Sequence, residues 1–418
     1  MREFEHAQQA LKSILIDQLP FNLAINTTLK NEKNKIDRDF KMSVTAVTGC
    51  ALRHYYIFKE LATRKYGELD DEKLSLLLLG LANHLFAKRF EEKEFHQYIA
   101  KETGLEGVEE FILANDNPKS LIPEDIDPES KKYIHYRFNL PYWLVNMWAK
   151  NNGPILSKKL YFSFASDNIK VVRINEQKNS SEVFFKNNPE FHPVEDDCLA
   201  VYKEKENIKR HQAIKNQSAL LIPAGYLYMC KDLDLDPIRG IAVYAESENH
   251  LLDELFVRLG HEPQIEYICG DQKTYFDAKA TADYRRMKQV ALYEAHSEAI
   301  ITCISKPVHT FFVCPLNSMY ANLKEYPDFF LKCNQEDLDG YIQEEEKALN
   351  EASPLVEKGG DLVYFIPTIC KNEGHTLIHR FLKNHPEYVL KEERQLFPFD
   401  RYKSTLYFAI LRKEEKHD

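Results

Sequence analysis

The chain reads as an all-α domain followed by a doubly wound α/β domain, and three observations predict this. Apolar residues recur at helical spacing through roughly the first 150 residues. Short apolar runs alternate with helical stretches from about residue 236 onward. At 355–367 an apolar helix end, Gly359-Gly360 and the run Leu362-Val363-Tyr364-Phe365-Ile366 make an αβ corner that closes on Pro367. In doubly wound sheets ligands bind beyond the carboxyl ends of the strands, so the residue following each strand is where chemistry is sought.

Composition bounds the answer. A chain of 418 residues can hold two or three domains with ample core. Hydrophobic content of 44% excludes a disordered class. A net charge of -10 excludes nucleic-acid binding by bulk charge, so any RNA affinity must rest on a local basic patch. Eight cysteines without a Cys-x-x-Cys pair support neither a zinc site nor a disulfide framework. Reduced thiols are therefore expected, and with them a cytoplasmic location. The start, Met1 to His6, is too polar for a signal peptide, and the longest apolar run, Leu76 to Ala82, is too short to span a bilayer. No membrane partner is expected, and the chain should be a monomer.

In order, Ala7, Ala10, Leu11, Ile14 and Leu15 mark a first helix, and Leu74 to Phe90 a long one after Asp70-Asp71. Lys30, Lys33, Lys35, Arg38 and Lys41 form a basic cluster that is either an RNA patch or a solvated linker. Asn115 to Pro128, with three prolines, is a loop. Trp143 and Trp148 serve either core packing or base stacking.

The second half predicts strands at Ile238–Tyr244, Gln264–Cys269, Ala299–Ile304, Phe311–Pro315 and Asp361–Ile366, with a helix over Tyr275–Glu294. A closing hairpin pairs Tyr388-Val389-Leu390 with Leu406–Leu411. Asp271, just past the second strand, either accepts the ribose hydroxyls of a nucleoside cofactor or is a turn residue. The run Gly270 to Thr274 lacks the second glycine of a phosphate loop.

Several segments stand in a telling order: Phe311-Phe312-Val313-Cys314-Pro315-Leu316, Tyr326-Pro327-Asp328, Gln335-Glu336-Asp337-Leu338, Gly359-Gly360, and Leu362 to Thr368. Earlier come Asn22 to Asn26, Asp37-Arg38-Asp39-Phe40, Val47 to Arg53, Arg137 to Trp148, and Val171 to Lys178. Together they resemble the bacterial ribosomal-RNA cytosine 5-methyltransferase family of the RsmB/Sun/Fmu type, related to the eukaryotic nucleolar Sun-domain enzymes. The resemblance implies a NusB-like all-α domain at 1–150, a small α+β linking module at 151–235 and a Rossmann-type methyltransferase domain at 236–418. It implies S-adenosylmethionine as cofactor, and as partner RNA, ribosomal in kind, or a ribosome-assembly protein. Carried over residue by residue, it makes Arg38, Arg53, Arg173, Asn175 and Lys178 the RNA contacts. Arg38 and Arg53 have intradomain ion pairs as their alternative, and Asn175 the capping of a turn.

The family's reaction is covalent: a thiolate adds to the sixth ring carbon of cytosine, and the activated fifth carbon takes the methyl group. Its nucleophile lies in a Thr-Cys-Ser motif, and a second cysteine in Asp-Ala-Pro-Cys assists release. On a gapless match those two cysteines fall at Pro367 and Leu316, and the motif aspartate at Val313. The Gly-Gly-Lys positions of the cofactor loop fall at Ala245, Glu246 and Ser247, where side chains crowd the approach and a carboxylate repels the cofactor's own. Cys314 and Cys370 stand nearby, either as displaced thiols or as small buried fillers. The expectation is a catalytically degenerate member that acts by binding RNA. An active methyltransferase with an altered site, or an interaction scaffold without RNA affinity, are the alternatives.

Overall fold

The computed structural model describes residues 2–30, 37–165, 170–194, 198–204, 206–236, 238–246, 250–323, 326–328, 331, 334–400 and 404–414. Lys33, Lys35, Ser247 and Cys333 lie outside the described residues. The chain divides into two compact units, Met1–Ala165 with Asn322–Gln335, and Ser166–Ala321 with Glu336–Asp418.

The first unit is helical. Its central helix, Asp71–Ala82, is buried along its whole length from Leu74 to Ala82, as an all-round apolar sequence requires. Asp70 caps it by accepting from the Lys73 amide at 2.8 Å. The helix predicted to reach Phe90 leaves α geometry at Ala82, continues as a π-helical turn over Asn83–Ala87, and stops. The cause is Asn83: its buried carboxamide accepts from the amides of Arg89 and Phe90, each at 2.9 Å, and donates to the Phe90 carbonyl at 3.1 Å. Asp328 joins this unit from far along the chain, capping Phe21–Lys30 through the Phe21 amide at 2.9 Å. Trp148 is fully buried, stacked on Phe164 at 5.3 Å, which is core packing.

The second unit holds two sheets. The small one comprises β1 (Lys170–Ile174), β2 (Phe191–Pro193), β3 (Leu199–Tyr202) and β4 (Ala219–Leu220), antiparallel in the order β2-β3-β1-β4. The large one comprises β5 (Ile241–Ala245), β6 (Ile265–Cys269), β7 (Val290–Glu294), β8 (Val308–Cys314), β9 (Val356–Ile366), β10 (Tyr388–Leu396) and β11 (Leu406–Lys413). Their order is β7-β6-β5-β8-β9-β11-β10. The pairs linking β5 to β9 are parallel, and β11 runs antiparallel between β9 and β10. Alternation along the strands feeds two cores: Val243, Tyr267, Phe312 and Phe365 face one, and Tyr244, Ile268, Phe311 and Tyr364 the other.

Three further elements differ from the sequence reading. The third strand is Val290–Glu294, within the stretch read as helix; the helix itself is Gln272–Arg285, ended by Arg286 in the left-handed region. The apolar run at 299–304 is instead a helical turn that buries Ile300. The edge strand is only half covered, so its sequence carries little apolar signal, whereas Ile300 needs core contact without needing a strand. Gly359-Gly360 makes no turn between helix and strand but lies inside the 11-residue β9. A Cβ on Gly360 would stand 2.6 Å from the His309 carbonyl oxygen, and the pairing of β8 with β9 shifts register between Val308 and Thr310. The glycines therefore permit a bulge.

Candidate active site

The strand ends form a common rim. Ala245 stands opposite both Cys269 and Cys314, and the next amides stitch the edge together: Glu246 donates to the Cys314 carbonyl at 2.8 Å, Gly270 to Ala245 at 2.9 Å and Ala295 to Cys269 at 3.0 Å. A ligand at the strand ends would meet the side chains that follow.

At β5 and β6 that side chain is Glu246. It lies across Gly270 so closely that a Cβ added there would stand 2.0 Å from its Cγ. The Tyr244 hydroxyl donates to its carboxylate. Burial pushes the Glu246 carboxyl above its ordinary range; Tyr244 and His296 oppose this, while Asp271 and Glu344 add to it. Asp271 caps the helix Gln272–Arg285, accepting from the Thr274 amide at 2.8 Å and hydroxyl at 2.7 Å. Cys269, at the end of β6, is pushed up to about 12 by burial and by Asp271 and Glu294. The Glu246 side chain thus occupies the space beside Gly270 at the ends of β5 and β6.

At β8 and β9 the rim is tied by a different glutamate. Glu373, fully buried, accepts from the Ser318 amide and hydroxyl, both at 2.7 Å, and from the Thr368 hydroxyl at 2.6 Å. One carboxylate thus holds the loop after β8 to the loop after β9. The Tyr364 hydroxyl donates to the Glu373 carbonyl at 2.9 Å, and the Ala321 amide to the Pro367 carbonyl at 3.1 Å. Glu345, buried beside Glu373, is held well above the carboxylate range by burial and by the charge of Glu373. Burial raises Glu373 too, against the pull of Thr368 and Ser318.

The residues at the reactive positions follow from this frame. Val313 is buried in one core and Cys314 in the other, on opposite faces of β8. Leu316 is 41% exposed, and Pro367 directly follows β9, half-buried. Cys370 is buried, its amide donating to the Thr368 hydroxyl at 3.1 Å, and burial followed by Glu373 drives its thiol upward, away from the thiolate.

Of the basic residues named from the sequence, Arg173 is buried on β1, where it bonds Glu254 at 3.2 Å, Glu176 at 2.9 Å and the Ile174 carbonyl at 2.9 Å. It lines a cavity of about 430 Å³ with Arg258, Lys231 and Gln177. Asn175 is buried as well, its Oδ1 accepting from the Gln177 amide at 3.1 Å and its Nδ2 donating to the Gln217 carbonyl at 2.9 Å. Lys178 is exposed, with its Nζ on the Asn216 carbonyl. Arg38 and Arg53 are exposed at opposite ends of the helix Arg38–Arg53, about 22 Å apart at 1.5 Å per residue.

Glu373, Glu345 and Ser318 escaped sequence reasoning. Glu345 left a signal: it falls on the stripe Leu338, Ile342, Glu345, Leu349, Ala352, a buried position in a run of acids.

No protein-family model matches the sequence, and no curated protein matches it either. Solved structures do. PH0851 superposes with a TM-score of 0.73 at 15% identity, covering 98% of this chain and 99% of that one. A methyltransferase homologue protein from Pyrococcus horikoshii gives 0.58 at 14% identity, over 69% of this chain and 100% of its own. NSun6 from Pyrococcus horikoshii, solved with SFG, gives 0.56 at 10% identity, over 69% and 98%. At these identities the likeness establishes a fold: a helical N-terminal region followed by the seven-stranded mixed sheet of a Rossmann-like methyltransferase domain. No helix among the described residues is long and apolar enough to cross a membrane.

Proposed function

We propose that this chain is a catalytically degenerate relative of the RNA cytosine 5-methyltransferases, which binds RNA of the ribosomal class and transfers no methyl group. The observation that carries the reading is Glu246 lying over Gly270, because a glutamate side chain takes up room at the strand ends where the resemblance implies glycines of a cofactor loop. The nucleophile positions support it: Pro367 and Leu316 offer no thiol, and Cys314 and Cys370 are enclosed. A cofactor is not part of this reading, although NSun6, of similar fold, was solved with SFG, an S-adenosylmethionine analogue.

RNA affinity rests on the helical unit. Lys30, Arg38 and Lys41 are exposed, and Lys41 Nζ bonds Asn26 Oδ1 at 3.2 Å, which joins the two helices that carry them. Arg53 and Lys178 are further exposed cations, whereas Arg173 and Asn175 serve the packing of β1 and its turn.

Calorimetric titration with S-adenosylmethionine, and separately with its demethylated product, tests the reading. No heat and no thermal stabilisation at millimolar ligand is expected. Micromolar binding, about -8 kcal/mol, would restore the altered-enzyme alternative. An electrophoretic shift with ribosomal RNA that weakens with salt is the second expectation, and no shift would favour the protein-interaction scaffold.

A further inference from the structure

We propose that His375, His379 and Glu393 form a binding site for one divalent transition-metal ion of the zinc type. Their ligand atoms all lie within 4.8 Å of one another. His375 Nδ1 stands 2.9 Å from Glu393 Oε1, and His379 Nε2 3.3 Å from Glu393 Oε2. The two rings lie 4.1 Å apart between centroids, so two imidazoles converge on one carboxylate.

The chain is built to hold this arrangement. His375 closes the π-helical turn Asn372–Thr376 and His379 lies in the helix Leu377–Asn384 that continues it, a spacing of four that brings both rings to one face. Gly374 interrupts the turn at φ -100° and ψ -105°, and a Cβ there would stand 2.9 Å from the Tyr407 ring, so only glycine lets the turn press onto β11. Tyr407, buried on that strand, donates its hydroxyl to Glu393 Oε1 at 2.7 Å. A first ligand anchored by a buried neighbour is the usual construction of a metal site.

The donor set selects the ion. Two imidazole nitrogens and one carboxylate oxygen suit zinc, nickel or copper, and are too few and too nitrogen-rich for calcium or magnesium. Both histidines are about half exposed, which gives an ion an entry path and leaves room for water at a fourth position. Glu373, two residues ahead of His375, ties the loops after β8 and β9. An ion at this site would therefore fasten to β10 the same turn that carries the tie.

The test is titration of full-length, chelator-treated protein with zinc chloride alone, read by calorimetry, with cobalt absorption as a spectroscopic readout. One ion per chain at micromolar affinity is expected. His379→Ala and Glu393→Gln should each weaken it at least about tenfold, the scale that even an outer partner of a metal ligand carries. His192→Ala, altering an exposed histidine on β2, should leave binding unchanged and so exclude scattered surface sites. Melting curves in chelator establish that the variants fold. Absence of saturable binding in the native protein, or native affinity retained in His379→Ala or Glu393→Gln, would overturn the proposal.

Discussion

At one end of the rim Glu373 takes donors from two loops and is closed from solvent; at the other, Glu246 meets a tyrosine hydroxyl and shares its surroundings with Asp271 and Glu344. Glu246 directly follows β5 and Glu373 lies in the turn Asn372–Thr376 beyond β9, and burial raises both. What differs is the donor set. Buried charge becomes part of a fold when oriented hydrogen bonds meet it, and remains a liability when the neighbours are further acids. Glu373 is accordingly a structural tie, and Glu246 a plug.

The strongest way to break this contrast is Glu373→Ala. It strands the Ser318 and Thr368 hydroxyls in the core, and about 3 kcal/mol of stability should be lost in denaturant unfolding. Glu246→Ala should stay within about 1 kcal/mol of the native protein, and equal losses would end the distinction. Next in size is a pH effect from Glu345 and Glu373. Their folded-state carboxyls lie above the ordinary value of 4.5, so their stabilisation is fully present below it and is lost as pH rises through the raised folded values. Native stability should therefore fall on raising pH above 4.5, and Glu345→Gln should flatten that decline; parallel profiles for the two proteins would mean that Glu345 titrates alike in the folded and unfolded chain, contrary to its raised carboxyl. Glu246→Gly sharpens the other side: with the space over Gly270 opened, titration with S-adenosylmethionine should give at least about tenfold tighter binding than native protein, about 1.4 kcal/mol. The smallest effect is expected of Arg38→Ala, which should lower the salt slope of RNA binding by about one and leave melting unchanged.

The helical half and the sheet that follows it were legible because their signals are periodic. Strands such as Phe311–Cys314 and the closing hairpin are buried apolar runs, and burial is what a sequence advertises best. The misread segment was the sheet's far edge, where Val290 to Glu294 is half covered and Ile300 hides in a helical turn. Polar residues are harder to read. Arg173 and Asn175, read as contacts for a partner, bond Glu254, Glu176 and a local turn. Glu345 and Glu373, on which the sequence reading was silent, sit in the core. Polarity in a sequence states that a group must be satisfied, and leaves open by whom.

One carboxylate gripping two loops has a mechanical consequence. Ser318 cannot leave without stripping its amide and hydroxyl from Glu373 in an apolar interior, and Thr368 cannot leave without stripping its hydroxyl. Opening either loop therefore leaves the other's hydroxyl facing a carboxylate that has lost part of its donor set, so the two loops share the cost of opening.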